Sequence, residues 1–170
     1  MARYIFILFI LCLVSCDSTE IRIKAKERSY TYINKTETPY FTEIQDVYVS
    51  AYSNLFLMDG SRKVFYTVIL SLRNISFTDT LHFNRISYID SKGNILRDLM
   101  TDSLLVLHPM ESFEYIVEQT ENDGGAGANF VVSYGMDPEL KNKPIIEAVM
   151  SGTISNLGFA FKTDGVEINR

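Results

Sequence analysis

The sequence predicts an all-β fold, an antiparallel β-sandwich of immunoglobulin-like general architecture. Two observations predict it. From residue 44 onward, apolar and polar residues alternate with a period of two, as side chains do on the two faces of a strand. The alternating runs are separated by glycine, asparagine, aspartate or proline, the residues that turns require. Several short strands with such turns between them are typical of a sandwich.

The clearest strand runs from Val64 to Leu72 and ends at the turn of Arg73 and Asn74. Two further alternating runs cover residues 112–118 and 145–150. The other five strands are expected at residues 46–52, 81–90, 104–107, 129–134 and 158–162. Residues 95–102 are ambiguous, because their pattern also fits a helical turn.

Turn residues set the limits of these strands. Gly93 supplies the positive φ that a short hairpin loop at residues 90–94 needs. Residues 58–61 and 136–138 are further breaks. Pro109 cannot donate a ladder hydrogen bond and therefore interrupts any strand that would cross it.

The first 15 residues predict a signal peptide. Arg3 provides its positive charge, and an apolar run of 11 residues follows from Tyr4 to Val14. That length suits a signal-peptide core, whereas a membrane-spanning helix needs roughly 20 apolar residues. The small residue Ser15 precedes Cys16, after which the chain becomes abruptly polar.

Residues 13–16, Leu-Val-Ser-Cys, resemble the lipobox of bacterial lipoproteins. The resemblance implies cleavage before Cys16 and attachment of a diacylglycerol to its sulfur, so palmitate should label the protein there. Two or more acyl chains hold a protein stably on a membrane, whereas one chain holds it only marginally. A plain secretory signal with an incidental cysteine is the alternative.

This interpretation divides the chain into three parts. Residues 1–15 are the signal peptide, 16–43 the lipidated N-terminus and a flexible tether, and 44–170 a single β-sandwich domain. The domain would lie in the cell envelope on the extracytoplasmic side of a bacterial membrane, inner or outer. Cys12 would leave with the signal peptide, so the mature fold would contain no disulfide.

The composition excludes several classes of protein. A net charge of −5, from 16 basic and 21 acidic side chains, argues against a nucleic-acid partner, because such binding neutralises phosphates. Two cysteines are too few for a disulfide-dense scaffold or a four-cysteine zinc site. We expect no cofactor.

Four segments of residues 47–162 resemble an uncharacterised bacterial lipoprotein family known only as a domain of unknown function. They are residues 66–74, 88–94, 117–130 and 144–152, of which 117–130, with its Gly-Gly-Ala-Gly-Ala-Asn-Phe, is the most distinctive. The resemblance implies a small, sandwich-like extracytoplasmic domain. It implies no activity and no catalytic or binding residue.

The same segment holds the candidate ligand or metal loop, which consists of Glu118, Glu121, Asn122, Asp123 and Asn129. Its oxygens are of the kind that calcium prefers, although their spacing fits no EF-hand. A solvated acidic turn is the alternative. Glycines 124, 125 and 127 are not a phosphate-binding loop, because a strand and no lysine follows them. They predict a strand connection that needs positive φ or close backbone contact.

Other chemistry has weaker support. His82 and His108 could bind copper with Met100 or Met110, but their spacing forms no known motif. No serine nucleophile elbow is present, and no catalytic residue is assigned. Glu147 stands between apolar neighbours, and the alternation predicts that it points away from the core to an exposed or half-exposed position.

Together these features predict a membrane-anchored binding or structural module of the envelope. Its partners would be the membrane, through the N-terminal lipid, and an envelope protein, a glycan or a small ligand. The alternative is a metal-binding domain, for calcium or copper, or a hydrolytic domain that uses the acidic glycine-rich loop.

Overall fold

The computed structural model describes residues 29–37, 41, 43–136 and 142–169, and over these residues the chain is all-β. A short 3-10 helix, Lys35–Glu37, follows the first strand. The strands are β1 Thr31–Asn34, β2 Glu43–Ser50, β3 Asn54–Leu57, β4 Arg62–Phe65, β5 Thr67–Arg73, β6 Leu81–Ile89, β7 Ile95–Asp98, β8 Ser103–Leu107, β9 Ser112–Val117, β10 Asn129–Met136, β11 Ile145–Ile154, β12 Leu157–Asp164 and β13 Val166–Ile168.

The strands form two main sheets and a hairpin. The larger sheet has the order β1-β8-β6-β10-β2-β13, with β7 paired to β6 on the same edge as β8. The smaller sheet has the order β12-β11-β5-β9, and β3 pairs with β4. All these pairings are antiparallel. The predicted all-β antiparallel sandwich is therefore confirmed.

The core lies between the two sheets and follows the period of two. In β5, Val68, Leu70 and Leu72 are buried on the inner face. In β10, the inner side chains include Phe130 and Val132, which are fully buried. Burying each such side chain contributes roughly 1.5–3 kcal/mol, so these two central strands hold the sheets together.

The prediction of one continuous strand from Val64 to Leu72 is wrong in one respect. In the structure this stretch is divided at Tyr66 into β4 and β5. The Tyr66 backbone N–H donates to the Ser53 carbonyl, 2.9 Å away, instead of to a continuous ladder. Its ring is buried, edge-on to Phe159 and Phe161 with centroids 5.4 and 5.5 Å apart. Burial of this ring accompanies the break.

The structure decides one ambiguous segment and changes another. Residues 95–102, whose pattern fits a strand or a helical turn, begin with the strand β7. Within the range 16–43, expected to be a tether, residues 31–34 form β1 on the edge of the larger sheet. The Tyr30 ring packs on Phe113 with centroids 4.7 Å apart, and its hydroxyl accepts from the Glu114 N–H at 3.2 Å. The predicted signal peptide and Cys16 lie outside the described residues.

The registers define two ends of the sandwich, which we call the base and the tip. The base carries the β5–β6 and β8–β9 connections, residues 74–80 and 108–111. The tip carries the β3–β4 hairpin, the β9–β10 connection at residues 118–128 and the β11–β12 turn at residues 155–156. Within the described residues, no helix is long and apolar enough to cross a membrane.

Candidate functional site

The glycine-rich part of the β9–β10 connection is packed against neighbouring loops. The Gly124 carbonyl accepts from the Ser91 N–H at 3.0 Å and from its Oγ at 2.8 Å. The Gly125 carbonyl accepts from the Ser53 N–H at 3.2 Å and its Oγ at 3.0 Å, and the Gly127 N–H donates to Ser91 Oγ at 2.9 Å. The Gly124 and Gly125 carbonyls and the Gly127 N–H are therefore hydrogen-bonded within the protein.

Two of these glycines are required by geometry. Gly125 has a φ of +79°, which L side chains rarely adopt. A Cβ on Gly124 would lie 2.0 Å from the Tyr88 hydroxyl oxygen and 2.9 Å from the Ala128 Cβ. Tyr88 is itself buried with its ring centroid 4.9 Å from that of Phe130, and this burial raises the pKa of its hydroxyl. The connection thus has both features that its glycines predict.

The acidic residues Glu118 and Glu121 of the predicted ligand loop have different side-chain partners. Glu121 forms a salt bridge with Arg97, whose Nη1 also donates to the Tyr115 hydroxyl at 2.8 Å. The hydrogen bond from Arg97 lowers the pKa of Glu121. Glu118 is exposed, and its Oε2 accepts from the Thr120 hydroxyl at 3.5 Å.

The remaining three members of that loop do not complete a cluster. Asn122 and Asp123 are exposed on the connection. Asn129 is already part of β10, in register with Ser50 on one side and Ile89 on the other. Among the residues that the structure describes, no three His, Cys, Asp or Glu side chains are grouped to hold a metal ion.

Glu147 is buried, which corrects the prediction of an exposed or half-exposed side chain. It retains only 7% of its accessible surface, although it lies on the outer face of the smaller sheet. Arg73 Nη2 and Lys162 Nζ, from the strands on either side, each lie 3.1 Å from a carboxylate oxygen. The alternation predicted its direction correctly, but the two long cationic side chains cover it.

A second buried acid was not singled out by the sequence. Asp46 of β2 is buried, and its Oδ1 accepts from the hydroxyl of Ser133 on β10 at 2.5 Å. The two residues are in register across the larger sheet, on its outer face. A lone aspartate in an alternating strand resembles any solvent-facing position, so no sequence signal distinguishes it.

The histidines and methionines that the sequence offered as copper ligands differ in how far they are buried. His82 is half-buried with its ring centroid 5.6 Å from that of Phe41. Burial, and secondarily the nearby His108, lower the pKa of His82. Met100 is part of the hydrophobic core, whereas Met110 is exposed on the base.

A cleft of about 210 Å³ lies at the tip, between the β3–β4 and β11–β12 hairpins. Its lining includes Arg62, Lys63 and Ile154, and Gln119 closes one side by donating to the Phe65 carbonyl at 3.0 Å. This cleft was not predicted, because it is lined by residues as far apart in the sequence as Leu57 and Ile154.

Exposed apolar side chains lie in the two hairpins that form this cleft, and we call Phe56, Met58, Ile154 and Leu157 the tip patch. Met58 has a φ of +53° and is 90% exposed. Phe56 and Leu157 are also mostly exposed, and Lys63 Nζ lies 4.8 Å from the centre of the Phe56 ring. Exposed apolar groups with a polar rim mark interaction surfaces. In the sequence, Phe56 and Met58 stand just before the Asp59-Gly60 turn, and this was the signal that could have indicated the exposed surface.

Comparison with known proteins gives a family but no activity. None of the curated proteins matches this sequence. The crystal structure of Thermotoga maritima 1070 aligns with a TM-score of 0.43 and 10% sequence identity, over 72% of this chain and 92% of that chain. Residues 44–168 match the family described as "Protein of unknown function (DUF3124)". The match includes every strand from β3 to β13, and the chain therefore belongs to the DUF3124 family.

Proposed function

We propose that this protein is a bacterial lipoprotein, anchored through Cys16, whose sandwich domain serves as a binding or structural module outside the cytoplasmic membrane. The observation that carries the proposal is that the contacts of residues 30 and 31 and the exposed apolar surface lie at opposite ends of the domain. Residues 30 and 31, which follow the N-terminal segment, contact the domain at Phe113 and Val106 near the base. The tip patch and its cleft lie at the other end, where a tethered domain would present them to a partner.

Membrane attachment gives such a module its advantage. A tether raises the effective concentration of the domain for partners that are held in the same envelope. Moderate affinity at the tip would then suffice for a stable complex. Arg62 and Lys63 beside Phe56 favour an envelope protein that offers an apolar segment with acidic neighbours.

Replacing the anchor cysteine tests the first part of the proposal. Cys16→Ser should move the protein from the membrane fraction to the soluble fraction and abolish palmitate labelling. Cys12→Ser is the matched control, because this cysteine lies inside the predicted signal peptide and its loss should change neither result. A Cys16→Ser protein that stays on the membrane would contradict the anchor.

A photo-crosslinking residue tests the second part. Placed at Met58 in cells, it should give a discrete adduct of higher mass, and Phe56→Ser should weaken that adduct. The control places the same residue at Lys92, in the exposed β6–β7 turn of the same end. Equal adducts at Met58 and Lys92 would argue against a specific surface at the tip.

The alternative role of the acidic loop has its own readout. Purified residues 17–170 would be melted with and without calcium, copper and zinc. A ligand that binds the native state raises its melting temperature by mass action. A rise of several degrees that Asp123→Asn removes would favour a metal-binding domain over the module proposed here.

A further inference from the structure

We infer that the base of the sandwich lies against the phospholipid bilayer, with Phe77 and Met110 inserted at the boundary between its headgroups and acyl chains. We call Ile75, Phe77 and Met110 the base patch. The inference rests on the proposed function, because the Cys16 lipid is what brings the domain to the bilayer.

The base patch exposes large apolar side chains at the ends of two loops. Phe77 is 82% exposed and Met110 is 57% exposed, and Ile75 is also exposed. They come from different connections, residues 74–80 and 108–111, which leave the two facing sheets at the same end. Apolar groups grouped in this way mark protein or membrane contact sites.

Hydrogen bonds join the two loops that carry these side chains. The buried side chain of Asn74 donates to the carbonyls of Asp79, Leu107 and His108 at 2.7, 3.1 and 3.0 Å. The Met110 N–H donates to the Ser76 carbonyl at 3.1 Å. Met110 has a φ of +61°, a conformation that costs free energy for a residue with a side chain.

Residues 30 and 31 contact the domain beside one of these loops. Thr31 pairs with Val106, just before residues 108–111, and Tyr30 packs on Phe113, just after them. Twelve residues, 17–28, separate Cys16 from the first described residue. Fully extended, they would span at most about 40 Å. The anchor therefore keeps this end of the domain within reach of the bilayer surface.

The acidic groups of the base are hydrogen-bonded within its loops. Asp79 Oδ2 accepts from the Ser76 hydroxyl at 2.8 Å, and Glu111 Oε2 accepts from the His108 N–H at 2.8 Å. Both carboxylates therefore accept hydrogen bonds from groups of their own loops. This leaves an apolar projection with a polar rim, which matches the boundary between headgroups and acyl chains.

Tryptophan fluorescence can test this contact, because the chain contains no tryptophan. Phe77→Trp places a single reporter on the base, and Met58→Trp places the matched control on the equally exposed tip. Each lipidated protein, beginning at Cys16, is reconstituted into phosphatidylcholine and phosphatidylglycerol vesicles, with and without brominated acyl chains. We expect the Phe77→Trp emission to shift to the blue and to be quenched at least twofold more than the Met58→Trp emission.

The outcomes separate the inference from the anchor on which it rests. Vesicles that carry protein, with equal and weak quenching of both reporters, would overturn the membrane contact and leave the lipid anchor intact. Protein that fails to float with the vesicles would overturn the anchor and the contact together. Met110→Trp, from the second loop, should repeat the Phe77→Trp result, and an unquenched Met110→Trp reporter would overturn the two-loop contact.

Discussion

At Glu147, a carboxylate that is almost fully buried is compensated by two cations that remain half in solvent. Arg73 and Lys162 keep about half of their side-chain surface exposed, whereas the Glu147 side chain keeps 10%. Lys162 also donates to Asp164 at 2.6 Å, and the hydrogen bonds to Asp164 and then Glu147 raise the pKa of Lys162. The cluster therefore joins β5, β11 and β12 on the outer face of the smaller sheet.

A double-mutant cycle should measure this cluster. Arg73→Ala should destabilise the wild-type protein more than it destabilises the Glu147→Gln variant, because only the wild type keeps a buried charge that needs the cation. The expected coupling is about 0.5–1 kcal/mol, reduced by the solvent exposure of Arg73. Urea unfolding of the four proteins checks it, and additive effects would rule the coupling out.

His82 should make stability depend on pH. Burial lowers the pKa of the folded His82 below the unfolded value of about 6.5, so the unfolded chain binds the proton more readily. The contribution of neutral His82 to the folding stability is therefore present above about pH 6.5 and is lost as the pH falls below that value. His82→Gln should therefore lose less stability than the wild type between pH 7.5 and 5.5 in urea unfolding.

His108→Gln is the control for this prediction. His108 is the smaller cause of the lowered pKa of His82, and it is itself exposed. The variant should therefore keep most of the pH dependence of the wild type. If His82→Gln and the wild type lose stability in parallel, the burial of His82 has no energetic consequence.

Among the elements, the β9–β10 connection depends most on its glycines. Gly124→Ala should destabilise the domain by about 1–3 kcal/mol, because the added methyl group meets the buried Tyr88 hydroxyl. Gly158→Ala is the matched control, since nothing lies within 4 Å of its Cβ and its φ is ordinary. Thermal unfolding compares the two.

Removal of the opposing hydroxyl tests the cause of that effect. Tyr88→Phe should restore part of the stability lost in Gly124→Ala, because the nearest atom is removed while the ring carbon Cζ remains 2.9 Å away. Equal losses in the two backgrounds would show that the clash is not with Tyr88.

Strand periodicity predicted the strands in which one face is buried, and it missed the features that depend on residues far away in the sequence. The alternation in β5, β9 and β10 follows from burial on one face, which acts within a single strand. The break at Tyr66 depends on Ser53, and β1 depends on Phe113 and Val106, so neither has a local signal. The spacing of the acidic loop likewise does not reveal that Glu121 pairs with Arg97.

For the whole molecule, the two ends of the sandwich carry different surfaces. The base patch lies at the end where Tyr30 packs on the domain, and the tip patch with its cleft lies at the opposite end. The sequence predicted the anchor from residues 13–16, because that motif is contiguous. It did not predict either patch, because each is assembled from two connections that only the fold brings together.

The mass of the protein purified from bacterial membranes tests the lipid anchor most directly. We expect a chain that begins at Cys16 and carries the added mass of a diacylglycerol, with or without a further acyl chain on the new amino group. Cys16→Ser should lose that added mass. An unmodified chain that retains residues 1–15, at 19.4 kDa, or one cleaved elsewhere without lipid, would contradict it.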